Sequence, residues 1–261
     1  MNNSDQRIRT LLSSQPRLRL FLDYDGTLAD FRDHPDQVEP LAEVIDLLKF
    51  LRNSGKIRLA VLSGRRLAHL QTLIPVNGIT LAGTYGLEIL KADGSLHYRL
   101  DYNRVRPALE MLKPIWIELI KDKQGFFLED KGWSLALHAR FAEDAIAADL
   151  LKKAQEQAAE TLDIKEFRVL PGHRFLEAGP LLADKGEGMK YLLEIDPPEE
   201  ESLLYLGDDD KDEAAFRVVQ SCGGAAIRVC SNVINQAIED WRLPNPQETR
   251  LWLRSLPGQL T

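Results

Sequence analysis

Arg17-Leu18-Arg19-Leu20-Phe21-Leu22-Asp23-Tyr24-Asp25-Gly26-Thr27 is a short apolar run that ends on two carboxylates with one residue between them. The Arg17 to Leu22 part has the length of a strand and is bounded by polar residues, so it reads as a strand buried in a sheet. In extended backbone, residues two apart point to the same side, so Asp23 and Asp25 converge where that strand ends. Gly26 permits a tight turn directly after them, and Thr27 adds a hydroxyl and an amide. The plainer alternative is an exposed acidic turn, because Asp-Gly is a common turn dipeptide. What surrounds the run decides between the two.

Downstream, Val38 to Asn53 has helical apolar spacing and stops at Ser54-Gly55. Ile57 to Leu62 is a second apolar strand, running into Ser63-Gly64-Arg65 and a helix from Arg66 to Leu73. Ile79 to Ala82 is a third strand, followed by Gly83-Thr84-Tyr85-Gly86. This alternation predicts a parallel sheet with helices on its faces. The middle third then changes rhythm. It reads helix (Asn103 to Lys121), strands (Phe126 to Glu129 and Trp133 to Arg140), helix (Ala142 to Leu162), strands (Phe167 to Leu170 and Arg174 to Glu177). That is an inserted α+β domain over residues 100–180, between core segments 1–99 and 181–261. The α/β rhythm resumes with a helix from Lys185 to Leu193, a strand from Ser202 to Leu206, a helix from Asp212 to Ser221 and a strand from Ala225 to Val229. A tail helix from Pro246 to Leu256 precedes a short disordered end.

The 261 residues suffice for a large buried core, and the composition (44% hydrophobic, 28% charged) is that of a soluble globular protein. A net charge of −7 argues against a nucleic-acid partner. No apolar stretch is long enough to span a bilayer, and Met1 to Gln15 lacks a signal-peptide core. Two cysteines, Cys222 and Cys230, are too few for a disulfide scaffold, which points to a reducing, cytoplasmic setting. Cys230, after an apolar run, reads as a small buried hydrophobe. The chain is expected to act as a monomer.

Asp208 and Asp209 follow the strand that ends at Leu206, after Gly207. Acids at a helix start are favoured by the helix dipole, which accounts for Asp212 and Glu213 but poorly for Asp208 at a strand end. Two like charges about 4 Å apart repel by roughly 4 kcal/mol at an effective dielectric near 20. Asp23, Asp25 and Asp208 at one sheet edge therefore call for a hard divalent cation, and Mg²⁺ suits a carboxylate-plus-phosphate site. Ser63-Gly64-Arg65 offers a hydroxyl and helix-start amides for phosphate oxygens, with a plain N-cap as the alternative for Ser63. Lys185 opens a helix against the dipole preference, which favours a point charge serving nucleophile and phosphate over a solvated lysine. In the insert, alternation from Trp133 to Arg140 puts Ser134, Ala136, His138 and Arg140 on one face. Glu129, Lys131 and Glu177 add carboxylates and a lysine suited to sugar hydroxyls, or to a solvated sheet face.

Taken together, Asp23-Tyr24-Asp25-Gly26-Thr27-Leu28, Ser63-Gly64-Arg65, Lys185 and Gly207-Asp208-Asp209 resemble the four motifs of the haloacid-dehalogenase-like phosphatases. Within that superfamily the chain is similar to the trehalose-6-phosphate phosphatases, on five features. These are Tyr24, Gly83 to Glu88, Glu129-Asp130-Lys131-Gly132 with Ser134 to Arg140, Leu176-Glu177 leading to Asp184-Lys185-Gly186, and Asp212-Glu213. The resemblance implies a Rossmann-like parallel-sheet core with an α+β cap closing over the site. It implies that Asp23 is a covalent nucleophile and Asp25 the general acid and base. Mg²⁺ is then held by Asp23, the Asp25 carbonyl and Asp208, with Asp209 supporting them. Ser63, Gly64, Arg65 and Lys185 hold phosphate, while Glu129, Lys131, His138, Arg140 and Glu177 line the sugar site. The chain departs from the family pattern at Tyr85 (usually His), Gly179 (usually Arg) and Lys211 (usually Thr). Trehalose 6-phosphate is the expected substrate; a sucrose- or glycosylglycerate-type phosphate, or a non-catalytic sugar-phosphate sensor, is the alternative.

Overall fold

The structure is a computed structural model that describes residues 3–30, 38–172, 174–231 and 238–260. In chain order, α1 (Asn3–Ser13) and β1 (Arg17–Leu22) precede α2 (Ala42–Asn53), β2 (Ile57–Leu62), α3 (Leu67–Leu73), β3 (Thr80–Gly83), β4 (Glu88–Leu90) and β5 (Leu96–Tyr98). The middle of the chain supplies α4 (Tyr102–Ile120), β6 (Phe127–Asp130), β7 (Leu135–His138), α5 (Asp144–Thr161), β8 (Phe167–Gly172) and β9 (Phe175–Pro180). The remainder is α6 (Lys185–Ile195), β10 (Glu201–Gly207), α7 (Glu213–Ser221), β11 (Ala225–Val229), β12 (Trp241–Leu243) and α8 (Pro246–Ser255). These elements form two compact units, residues Met1–Tyr98 with Asp184–Thr261, and residues Arg99–Ala183.

The first unit is an α/β fold on an eight-stranded sheet of order β12-β11-β10-β1-β2-β3-β4-β5. From β12 to β3 all pairings are parallel. β1 lies between β10 and β2 and is buried on both faces after Arg17; the one charge inside it, Arg19, is buried and pairs with Asp196 at 2.8 Å. Leu18, Leu20 and Leu22 pack into one cluster with Val44 and Leu48 of α2, while Phe21 joins Met189 of α6 and Phe216 of α7 on the other side. Each such side chain, fully buried, contributes about 1.5–3 kcal/mol.

The sheet is mixed rather than wholly parallel. β4 pairs antiparallel with β3, and β5 with β4. The link from β3 to β4 is one 3-10 turn, Thr84–Gly86, too short for the crossover a parallel strand needs. Asp93-Gly94, with Gly94 at φ 88°, makes the hairpin between β4 and β5. The expectation also began α2 too early. Pro40 disfavours helix at the residue before it, and the helix opens after Leu41 in extended conformation. The expected disordered end is corrected too. Leu260 is buried and its carbonyl accepts from Lys56 Nζ at 2.9 Å, while Thr261 lies outside the described residues. Neither cysteine is in a disulfide; Cys222 is exposed and Cys230 half-buried rather than buried.

The second unit is α+β: an antiparallel sheet of order β6-β7-β9-β8 with α4 and α5. Trp116 of α4 is fully buried and donates its indole N–H to the Ala154 carbonyl of α5 at 3.0 Å, pinning the two helices. The register aligns Glu129 with Ala136 and Ala136 with Glu177. Directly opposed residues share a face, so Glu129, Ala136 and Glu177 stand on one side of this sheet. Asp130 and Leu135 stand on the other, where Asp130 meets Arg106 of α4. β7 is shorter than the Trp133 to Arg140 run. Tight turns take both its ends, from Lys131 N–H to the Ser134 carbonyl and from Ala142 N–H to the Ala139 carbonyl.

Candidate active site

The parallel strands β1, β2 and β10 end side by side, and each carries a polar residue just past its last apolar one. Asp23 follows β1, Ser63 follows β2 and Asp208 follows β10. The Asp23 N–H still donates to the Leu206 carbonyl of β10 at 2.9 Å, so the sheet ladder fixes its backbone. A compact turn then forms: Gly26, at φ 77°, donates to the Ala29 carbonyl at 2.7 Å, and the Tyr24 carbonyl accepts from Leu28 and Ala29. The acidic-turn alternative fails on burial, because Asp23 is only 4% exposed. The hydroxyls of Tyr24 and Thr27 are buried without a hydrogen-bond partner among the described residues.

Lys185 is the first residue of α6, whose N-cap Asp184 accepts from the amides of Gly186 and Glu187 at 2.9 and 3.1 Å. That cap fixes the helix start and so aims the lysine. Its ammonium is buried, 2.8 Å from Asp23 Oδ1 and 2.6 Å from Asp212 Oδ1. Burial opposes its charge, but Asp212 and Asp23 outweigh burial and hold it well above its ordinary range.

Asp212 is the residue that sequence reasoning missed. Its place before α7 suggested a helix-dipole role, yet its side chain makes no cap hydrogen bond. It turns inward instead, fully buried. It accepts from Lys185, from Tyr205 Oη at 2.7 Å and from the amides of Asp208 and Asp209 at 3.2 Å each. Gly207 makes the room: a Cβ there would stand 2.2 Å from the Asp212 carboxyl carbon. The acid-rich run from Asp208 to Glu213 conceals which of its members faces in. Asp209 stands beside the cluster, its Oδ1 accepting from the Lys211 amide at 2.9 Å and its carbonyl from Arg228 Nη1 at 3.3 Å.

Carboxylate oxygens of Asp23, Asp208 and Asp212 lie within 4.8 Å of one another. Burial, then the Asp23 charge, pushes Asp208 up to about 10; burial, opposed by Lys185, pushes Asp23 up to about 7. One ammonium does not balance three carboxylates. The donors are all hard oxygens in a small volume, which fits a divalent cation of the magnesium or calcium kind.

The residues expected to hold phosphate fall as follows. Ser63 is buried, its N–H donating to the Ala82 carbonyl at 2.9 Å and its Oγ accepting from the Arg65 N–H at 3.2 Å. Gly64 lies against Tyr85, where a Cβ would meet the ring at 2.8 Å. The Arg65 guanidinium grips Asp25 through two 2.7 Å hydrogen bonds. Tyr85 takes a left-handed backbone (φ 57°), and its Oη accepts from Lys211 Nζ at 3.3 Å, so two of the three departures from the family pattern touch each other. The third, Gly179, pairs across the β8–β9 ladder with Arg168.

In the second unit the expected residues sit mostly on one sheet face. Glu177 is 3% exposed and accepts from Ser134 Oγ at 2.7 Å and Lys131 Nζ at 3.2 Å. Glu129 Oε2 lies 2.9 Å from His138 Nε2, and His138 stacks on Phe127 with centroids 4.4 Å apart. Burial opposes the Glu129 charge, but His138 and Lys131 hold its carboxyl below the ordinary range. Arg140 is the exception. It lies beyond the strand, exposed, in the turn after β7 rather than on its face.

A Rossmann-like core with carboxylates at adjacent strand ends, interrupted by an α+β unit, defines a haloacid-dehalogenase-like protein. The solved C-terminal domain of Candida albicans trehalose-6-phosphate phosphatase superposes with a TM-score of 0.83 over 100% of this chain and 99% of that one, at 21% identity. The trehalose-6-phosphate phosphatase of Escherichia coli is 29% identical over 92% of this chain and 86% of its own length. The trehalose-phosphate phosphatase of Mycobacterium marinum is 32% identical over 83% of this chain. The chain spans 55% of that relative, and 19% of a Mycobacterium tuberculosis relative named as an uncharacterized glycosyl hydrolase, 28% identical. The trehalose-phosphatase family model matches residues 21–246. The chain belongs to the trehalose-phosphatase family.

Proposed function

We propose that this chain hydrolyses trehalose 6-phosphate to trehalose and inorganic phosphate through a phosphorylated Asp23. The observation that carries the proposal is the buried Lys185 ammonium between Asp23 and Asp212, with Asp208 beside them. A protein that only binds a sugar phosphate has no need of a buried carboxylate held against a buried lysine.

In the first step an Asp23 carboxylate oxygen bonds to phosphorus while the bond from phosphorus to the sugar oxygen breaks. Asp25 gives that oxygen its proton. In the second, Asp25 takes a proton from water, the water oxygen bonds to phosphorus, and the bond to Asp23 breaks, which regenerates both carboxyl groups. Lys185, the Ser63 hydroxyl and the Gly64 amide hold phosphoryl oxygens. Asp23, Asp208 and the Asp25 carbonyl would hold Mg²⁺, with the Asp212 carboxylate beside them. The ion, when bound, offsets the negative charge that builds on the phosphoryl group. Glu129, Lys131 and Glu177, with His138 nearby, recognise sugar hydroxyls. A monomer in the cytoplasm is part of the same reading; among the described residues no helix is long and apolar enough to cross a membrane.

The test is phosphate release from a panel of trehalose 6-phosphate, sucrose 6-phosphate, a glycosylglycerate phosphate and 4-nitrophenyl phosphate, with Mg²⁺ present. The expected outcome is a kcat/KM for trehalose 6-phosphate at least about 100-fold above the others, because a site built to hydrogen-bond a substrate's hydroxyls rejects one that leaves them unpaired by that much or more. Preference for another sugar phosphate would reassign the substrate. Binding of trehalose 6-phosphate with no turnover of any compound would make the chain a sensor.

A further inference from the structure

Asp25 stands in a clasp. Arg65 Nε donates to its Oδ2 and Arg65 Nη2 to its Oδ1, both at 2.7 Å, so one planar guanidinium covers both carboxylate oxygens. Such forked pairs fix orientation as well as adding energy, which a lysine cannot match. The arginine is itself held on every side. Its Nη1 lies 3.3 Å from His69 Nδ1, one helical turn on, and its guanidinium carbon lies 5.8 Å from the centre of the Tyr24 ring. Its N–H donates to Ser63 Oγ, and its carbonyl accepts from Thr84 N–H at 2.7 Å. Its side chain is only 9% exposed, that of Asp25 23%.

We propose that Arg65 is the positioning residue of Asp25 and not a ligand of the phosphoryl group. The clasp sets the direction of the Asp25 carboxyl between reactions; when Asp25 serves the sugar oxygen, one of the two hydrogen bonds opens and the freed carboxylate oxygen takes up from solvent the proton that it passes to the sugar. The inference rests on the phosphatase reading above. It assigns to Arg65 a task that the phosphate-loop motif alone does not suggest. A phosphoryl ligand would face the phosphorus, whereas this guanidinium is committed to the carboxylate that serves the leaving group. The Arg65 backbone remains in the loop beside Ser63 and Gly64.

Leaving-group chemistry separates the two roles. A sugar alkoxide needs a proton to depart; 4-nitrophenolate does not. Arg65→Gln and Arg65→Lys are compared with the unaltered chain on trehalose 6-phosphate in the steady state and on 4-nitrophenyl phosphate by the burst of nitrophenolate. Melting curves check that each variant folds. Arg65→Gln is expected to lower kcat on the sugar phosphate about 100-fold, the lower range for general acid–base catalysis, with KM within about 3-fold. The burst rate should fall less than about 5-fold. Arg65→Lys keeps charge but not the fork, and should show the same selective loss at about 10-fold. In an Asp25→Asn background, adding Arg65→Gln should cost less than about 3-fold, because a residue acting through Asp25 has little left to lose. Equal losses on both substrates, a change confined to KM, or full additivity with Asp25→Asn overturns the proposal. If Arg65→Gln does not fold, Arg65→Lys alone decides by the same comparison. Failure of the unaltered chain to turn over either substrate would instead overturn the phosphatase reading.

Discussion

Asp23 and Lys185 show how little of a residue's role lies in its type. Asp23 is an acid on an otherwise apolar strand end; what makes it a nucleophile candidate is burial against an ammonium 2.8 Å away. Asp23→Asn keeps the shape and a hydrogen-bond acceptor for Lys185 but cannot carry the phosphoryl group to hydrolysis. Turnover should fall at least about 10⁴-fold, as for loss of a covalent nucleophile, while circular dichroism and the melting transition remain those of a folded chain. Residual activity above one per cent in that variant would sink the covalent mechanism. Asp212 carries the opposite lesson. The same residue type at a helix start is ordinarily a dipole partner, and only its inward turn under Gly207 reveals otherwise. Nothing local distinguishes it from Asp210 or Glu213.

At the scale of elements, strand ends made the site legible. A buried parallel strand is a continuous apolar run, so the first polar residue after it lies at the carboxyl edge where such sheets bind ligands. The carboxyl-terminal parts of β1, β2 and β10 (Leu20 to Leu22, Leu59 to Leu62 and Leu203 to Leu206) follow that rule. The short β4 and β5 escaped it, because three-residue strands carry too little pattern, although Asp93-Gly94 marks their turn. In the second unit α4 is tied to its sheet by Arg106, which donates to both carboxylate oxygens of Asp130 at 2.6 Å, with Lys113 at 2.8 Å. The Arg106 hydrogen bonds, against a smaller burial penalty, hold the Asp130 carboxyl well below the usual carboxylate range. A depressed carboxylate stabilises the fold above its unfolded pKa and loses that contribution as pH falls through its folded value. Asp130→Asn should therefore cost about 1–2 kcal/mol at pH 7, discounted for partial exposure. The gap between the two proteins should close only below about pH 4, where the unfolded carboxyl gains its proton. Denaturant melts at pH 7 and at pH 2 to 3 measure this. A gap that stays constant with pH would mean the pair contributes packing and not charge.

Over the whole molecule, the charge imbalance among Asp23, Asp208 and Asp212 makes a binding prediction that does not depend on catalysis. Mg²⁺ at about 100 times its Kd should raise stability by roughly 2.7 kcal/mol, and the chelated chain should have no turnover. Calorimetric titration and melting with and without Mg²⁺ read the first effect, phosphate release the second. Asp208→Asn should abolish the stability gain. A gain that survives in that variant would move the ion elsewhere.

The two architectures in the chain were readable because their periodicities differ: a βαβ alternation on either side, and a helix-strand-strand repeat between. So were the strand-end residues Asp23, Ser63 and Asp208 and the dipole-defying Lys185. Each departs from what a plain strand or helix end prefers. Sequence by itself determined these because they depend on local pattern, on which residues follow an apolar run and which sit at a helix start. Only the tertiary structure decided who meets whom. It turned Asp212 inward to Lys185, laid the Arg65 guanidinium over Asp25 and brought Tyr85 to Lys211. It also moved Arg140 off the β7 face. Those outcomes depend on side-chain direction across residues separated by as many as 126 positions, as for Tyr85 and Lys211. No local periodicity encodes that direction; it follows from the space that packed neighbours, such as Gly207 and Gly64, leave open.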